Sequence, residues 1–156
     1  MNSLFLVSSL LLAGAFAQQT FFDNDDIDDL QEFVDYPTKM KLKTLENNHY
    51  IPRSQKQQEF QQILSSQTQQ VQDAFKQKQN YENMKRQQKL ASLQQRMQWM
   101  PPTVANAYKQ LMEAKSNMNL SDMEYWTQKN QIWGQLNGMD RHLDRQFGSH
   151  SSEEFY

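Results

Sequence analysis

The chain has no cysteine, so no disulfide can brace it and no thiolate can act as nucleophile or metal ligand. Glycine and proline are scarce, four of each in 156 residues, which excludes a glycine-rich phosphate loop and leaves long stretches free of helix breakers. Histidine is rarer still. His49, His142 and His150 have no cysteine or paired carboxylate at ligand spacing, which argues against a tetrahedral zinc site. Bases are missing from residues 18 to 36, where seven acids stand alone: Asp23, Asp25, Asp26, Asp28, Asp29, Glu32 and Asp35. The remaining eleven acids against sixteen bases leave a modest +5 spread along the chain, without the clustered Lys and Arg that tracking a phosphate backbone requires, so nucleic-acid binding is disfavoured.

Long hydrophobic runs are absent except at the start. Leu4 to Val7 and Leu10 to Leu12 form an apolar core ending in Ala15-Phe16-Ala17, the small-x-small pattern of a signal-peptide cleavage site, and the stretch is too short to span a bilayer. We expect cleavage after Ala17 and secretion. Residues 1–17 then read as a signal peptide, 18–36 as an acidic segment, 37–147 as a helical domain and 148–156 as a flexible tail. A mean hydropathy of −0.93 and no cross-links mean that packing alone holds the fold.

What is present is helical periodicity. Ile27, Leu30, Phe33 and Val34 fall at helical spacing, with acids in the first turn and Pro37 as the expected end. Met40, Leu42 and Leu45 fit a helix or an extended segment and are taken as a helix. From Ser54 to Met100 the chain is Gln-dominated without Gly or Pro, with apolar stripes that do not share one phase, so a bend or break is expected at Ser65–Thr68 or Lys76–Asn80. Sustained apolar heptads, which a coiled coil needs, are not found there. Pro101-Pro102 separates this region from a face of Val104, Ala107, Tyr108, Leu111 and Met112.

The strongest local signal is Leu120-Ser121-Asp122-Met123-Glu124-Tyr125, where Ser121 and Glu124 fit a capping box. Tyr125, Ile132, Trp133 and Leu136 line the helix it opens, which Asn137-Gly138 is expected to end. A last short helix carries Met139, Leu143 and Phe147. The expected class is all-α: a single compact bundle of five or six helices with a long Gln-rich central helix region.

Catalytic chemistry does not assemble from these residues. The acidic run from Asp23 to Asp29 supplies oxygen ligands suited to a hard cation but lacks the glycine and terminal Glu of a calcium loop. Asn119-Leu120-Ser121 is a candidate N-glycosylation sequon at Asn119. Eight methionines after the leader and three tryptophans suit an adaptable surface or a lipid pocket as well as a core; Met112, Tyr125, Trp126 and Trp133 form the candidate hydrophobic ligand or partner face.

The stretch Met100-Pro101-Pro102-Thr103-Val104-Ala105-Asn106-Ala107, then Leu111, Asn119-Leu120-Ser121, Ile132 and Leu136, resembles the SXP/RAL family of secreted nematode proteins. Asn47-Asn48-His49-Tyr50-Ile51-Pro52-Arg53-Ser54, leading to Phe60 and Phe75, is similar to that family's first asparagine-rich turn and long helix. The likeness covers roughly residues 25 to 147. It departs at Tyr50-Ile51-Pro52, where the family more often has a leucine then a hydroxyl residue, and at the bulky Met123 and Trp126. The resemblance implies a secreted helical bundle, antigen-like exposure, no enzyme activity, and magnesium or calcium as candidate ions, with no ligand set to carry over. Asn47–Ser54 and Asn117–Asp122 look like two versions of one turn. The expected function is a secreted, non-enzymatic helical binding protein whose partner is an extracellular protein or a small hydrophobic ligand. The alternatives are a small lipid carrier of the fatty-acid and retinol type and a self-associating structural protein.

Overall fold

A computed structural model describes Phe22 and residues 24–136, which hold six helices and no β-strand. The helices are α1 (Asn24–Gln31), α2 (Tyr36–Glu46), α3 (Arg53–Ser65), α4 (Gln69–Met97), α5 (Pro102–Ser116) and α6 (Asp122–Gly134). The all-α class expected from periodicity is the class found. The leader with its Ala17 site, the helix expected around Met139, Leu143 and Phe147, and the tail lie outside the described residues. No helix among the described residues is long and apolar enough to cross a membrane.

Local chemistry sets the boundaries. Expected to end the first helix, Pro37 instead sits in the first turn of α2. Asp35 caps that helix by accepting from the Thr38 amide at 3.0 Å, and proline needs no amide partner there. Of the two expected interruptions in the Gln-rich region, only Ser65–Thr68 is real. There the Ser66 hydroxyl and the Gln67 side-chain amide donate to the Ile63 carbonyl at 2.6 and 3.0 Å, closing α3, and Thr68 caps α4. Lys76–Asn80 stays helical, because it holds no breaker and α4 passes through it for 29 residues. Ser121 and Glu124 form the expected capping box, and α6 gives way to Gln135 sooner than the Asn137-Gly138 signal indicates.

Two cores hang on α4. Ile27, Leu30, Leu42, Leu45, Phe60 and Phe75 form the first with Phe22, and Phe60 packs between Phe22 and Phe75 with ring centroids 5.3 and 5.5 Å away. Leu93, Met100, Val104 and Tyr108 form a second with a satellite of Ala107, Leu111, Ile132 and Leu136, bridged by Trp133. Phe75 and Leu93, the two buried residues of α4, serve different cores about 27 Å apart along the helix. Each fully buried Ile, Leu or Phe contributes roughly 1.5–3 kcal/mol.

The acidic segment enters the body as α1. Asp26 is 2% exposed and accepts from Arg86 of α4 at 3.2 Å, while Lys78 donates to Glu32 at 2.6 Å and Asp29 at 2.9 Å. Bonds to Glu32 first, and to Asp29 second, push the Lys78 ammonium above its ordinary range. The charge asymmetry of the sequence is thus matched across α1 and α4.

Candidate functional site

The two Asn-rich turns, residues 47–52 and 117–121, lie against each other. Arg53 and Ser54 amides donate to the Leu120 and Met118 carbonyls at 3.0 and 2.8 Å, the Met123 amide donates to the His49 carbonyl at 3.1 Å, and Pro52 and Ser121 form an antiparallel bridge. Each turn follows one helix and opens another, so pairing them joins α2–α3 to α5–α6.

Two buried bases of α3 lock this junction. Arg53, 4% exposed, donates through Nη2 to the Ala114 and Asn117 carbonyls at 2.9 and 3.0 Å, and its guanidinium lies 4.9 Å over the Tyr125 ring. Lys56, 1% exposed, donates to the Glu46 carbonyl at 2.9 Å, Asn24 Oδ1 at 3.1 Å and Asp122 Oδ2 at 2.6 Å. Lys56 thus supplies a donor to the last carbonyl of α2, and Arg53 adds a second donor to the Ala114 and Asn117 carbonyls, which already accept backbone amides, at the end of α5; the helix dipole favours a cation at both ends. Asp122 stands at the start of α6, where the dipole favours an anion, with His49 Nδ1 3.5 Å away and the Asn24 side-chain amide at 3.4 Å.

Beside it the capping box is complete. The Ser121 amide and hydroxyl donate to Glu124 Oε2 at 2.8 and 2.9 Å, and the Glu124 amide donates to Ser121 Oγ at 3.2 Å. The backbone bond, then the hydroxyl bond, hold the Glu124 carboxyl below its ordinary range. Further along α6, burial and then the nearby Lys115 charge lower the Lys129 ammonium.

The oxygen cage at this junction holds a cation supplied by the chain itself, the Lys56 ammonium. Among the described residues no group of three or more His, Cys, Asp or Glu side chains is placed to hold a metal ion. The run that offered oxygen ligands to a hard cation is helical from Asn24 onward, and its carboxylates serve α4 bases: Asp26 takes Arg86 and Asp29 takes Lys78. An open cleft of about 380 Å³ between α1 and α4 is lined by charged side chains, among them Asp25, Asp28, Lys85 and Lys89.

The candidate hydrophobic face is split by the fold. Met112 and Trp133 are half-buried against the second core, where Trp133 meets Tyr108 edge-on at 5.2 Å. Tyr125 lies under Arg53, and Trp126 points outward, 59% exposed. Asn119 is exposed, whereas Ser121 of its sequon is 3% exposed inside the capping box.

Trp126 has exposed neighbours that periodicity overlooked. Met123, 40% exposed, is one turn earlier on α6 and bonds by its backbone to His49, next to Tyr50, itself 77% exposed. Lys56 and Arg53 do not stand out by residue type, although the sequence holds a signal: both fall in phase with Phe60 on the buried face of α3.

The arrangement defines an all-α protein whose polar junction is a structural lock, with three of its exposed large side chains, Tyr50, Met123 and Trp126, on the turn and helix that the junction joins. No family model, no curated protein and no solved structure matches the chain.

Proposed function

We propose that the chain is a secreted, non-enzymatic helical binding protein of the SXP/RAL type that meets an extracellular protein partner through Tyr50, Met123 and Trp126. The observation that carries this reading is the exposure of these three large side chains on a junction held by buried Arg53 and Lys56. Rigidly mounted Trp, Tyr and Met are the side chains that dominate binding energy at protein interfaces. The two Asn-rich turns that form part of the family resemblance are the two that build this junction. Trp133 and Met112 fill a core instead of lining a space, and the α1–α4 cleft is charged, which favours a surface over a lipid carrier.

The test is capture from extracellular fluid by the immobilised chain, with Trp126→Ser/Met123→Ser as control. A bound protein recovered with the native chain and lost with the variant, at equal helicity, supports the face. Equal recovery with both chains contradicts it.

A further inference from the structure

From Gln77 on, the side of α4 turned away from the α1 cleft carries no charge, whereas Asp73 and Lys76 are exposed on the turns before it. From Gln77 to Gln98 the six charged residues, Lys78, Glu82, Lys85, Arg86, Lys89 and Arg96, all fall within one arc of about 100° when each residue turns 100°. Five of them line the cleft toward α1. A second arc of about 80°, adjoining the charged one where Tyr81 meets Lys85, presents Gln77, Tyr81, Met84, Gln88, Ala91 and Gln95, every one exposed and spaced four, three, four, three and four apart. That is the heptad spacing of a helix seam, built from amides and small or soft side chains, and it becomes visible once α4 is known to run unbroken. A solvated helix ordinarily spreads its charges around its exposed surface, and here they gather on the side of the α1 cleft, with Lys85 and Lys89 still exposed.

We propose that this face is an interface between two antiparallel copies of the chain. A Gln side chain is both donor and acceptor, so the same face on a two-fold-related copy satisfies it, and no charge selects a different partner. Antiparallel pairing centred on Arg86 sets Tyr81 against Ala91 of the second copy, large against small, Met84 against Gln88, and Gln77 against Gln95. The Tyr81 ring is already steadied by the Lys85 ammonium 4.9 Å away, and Lys85 is itself paired with Glu82 at 3.2 Å, which mutes its repulsion from the second copy's lysine. The strip is about 27 Å long and one helix wide, at or below the smallest areas of stable complexes, so the dimer is weak, with a Kd of roughly micromolar order. Tyr50, Met123 and Trp126 lie off α4, so this interface and the partner face stand or fall separately.

Sedimentation equilibrium of the full chain over a wide micromolar range should show the mass doubling with concentration, and Ala91→Glu should remain monomeric with unchanged helicity. Register is read by cross-linking, since the chain has no cysteine of its own. A mixture of Tyr81→Cys and Ala91→Cys chains should oxidise to the mixed dimer faster than either variant alone. A native chain that stays monomeric at every concentration overturns the proposal, and Tyr81→Cys alone cross-linking as fast as the mixture overturns the antiparallel arrangement.

Discussion

Replacing Lys56 by Met keeps the length of a side chain that is 1% exposed while removing its ammonium. Three acceptors then lose their donor: the Glu46 carbonyl at 2.9 Å, Asn24 Oδ1 at 3.1 Å and Asp122 Oδ2 at 2.6 Å. Breaking a buried ion pair by removing one partner costs about 3–5 kcal/mol. Asp122 is 21% exposed, so water recovers part of its solvation, and the α6 N-terminus still favours its charge. The expected net loss is about 3 kcal/mol, or a fall in melting temperature of about 10 °C for a body of this size. Urea unfolding followed by circular dichroism measures it. Adding Asp122→Asn to Lys56→Met should recover about 1 kcal/mol, because the orphaned carboxylate is gone. A Lys56→Met chain within about 0.5 kcal/mol of the native one would refute the junction as a lock.

Further outcomes follow from the same geometry. Glu124 has a depressed carboxyl in the folded chain, so its contribution is present above the unfolded value near 4.5 and is lost as pH falls through the lower folded value. Glu124→Gln should flatten that part of the acid-unfolding curve, and an unchanged slope would count against the capping box. Gly134 is helical and a Cβ there would meet nothing within 4 Å, so Gly134→Ala should stabilise the chain by about 0.5–1 kcal/mol in the same urea assay; destabilisation would contradict the open space. Because the oxygen cage is filled by Lys56, magnesium or calcium should raise the melting temperature no more than sodium chloride of equal ionic strength, and a larger rise would reveal a cation site.

The helical class, the capping box at Ser121 and the break at Ser65–Thr68 were legible because each is a local pattern of hydroxyls, amides and apolar spacing. Other features depended on partners distant in sequence. A proline cannot tell whether it ends one helix or opens the next until the Asp35 cap is seen beside it. The acidic stretch shows no base nearby in sequence, and its partners lie more than forty positions away: Arg86 meets the buried Asp26, and Lys78 meets Asp29 and Glu32. At the candidate site, aromatic and methionine content was visible but its division was not. Trp133 and Trp126 lie seven residues apart on one helix, yet one packs on Tyr108 and the other faces outward, which depends on where α5 crosses. A lysine in an apolar phase, such as Lys56, looks like an interruption until its three oxygen partners, distant in sequence, are assembled.

A native mass spectrum of the chain secreted from a eukaryotic host, taken without added lipid or metal, tests most directly whether the protein acts through its surface. The expected spectrum shows the mass of the polypeptide, with any glycan at Asn119, and twice that mass at higher concentration. Additional mass that disappears on organic extraction would contradict a surface-acting protein and identify a carrier.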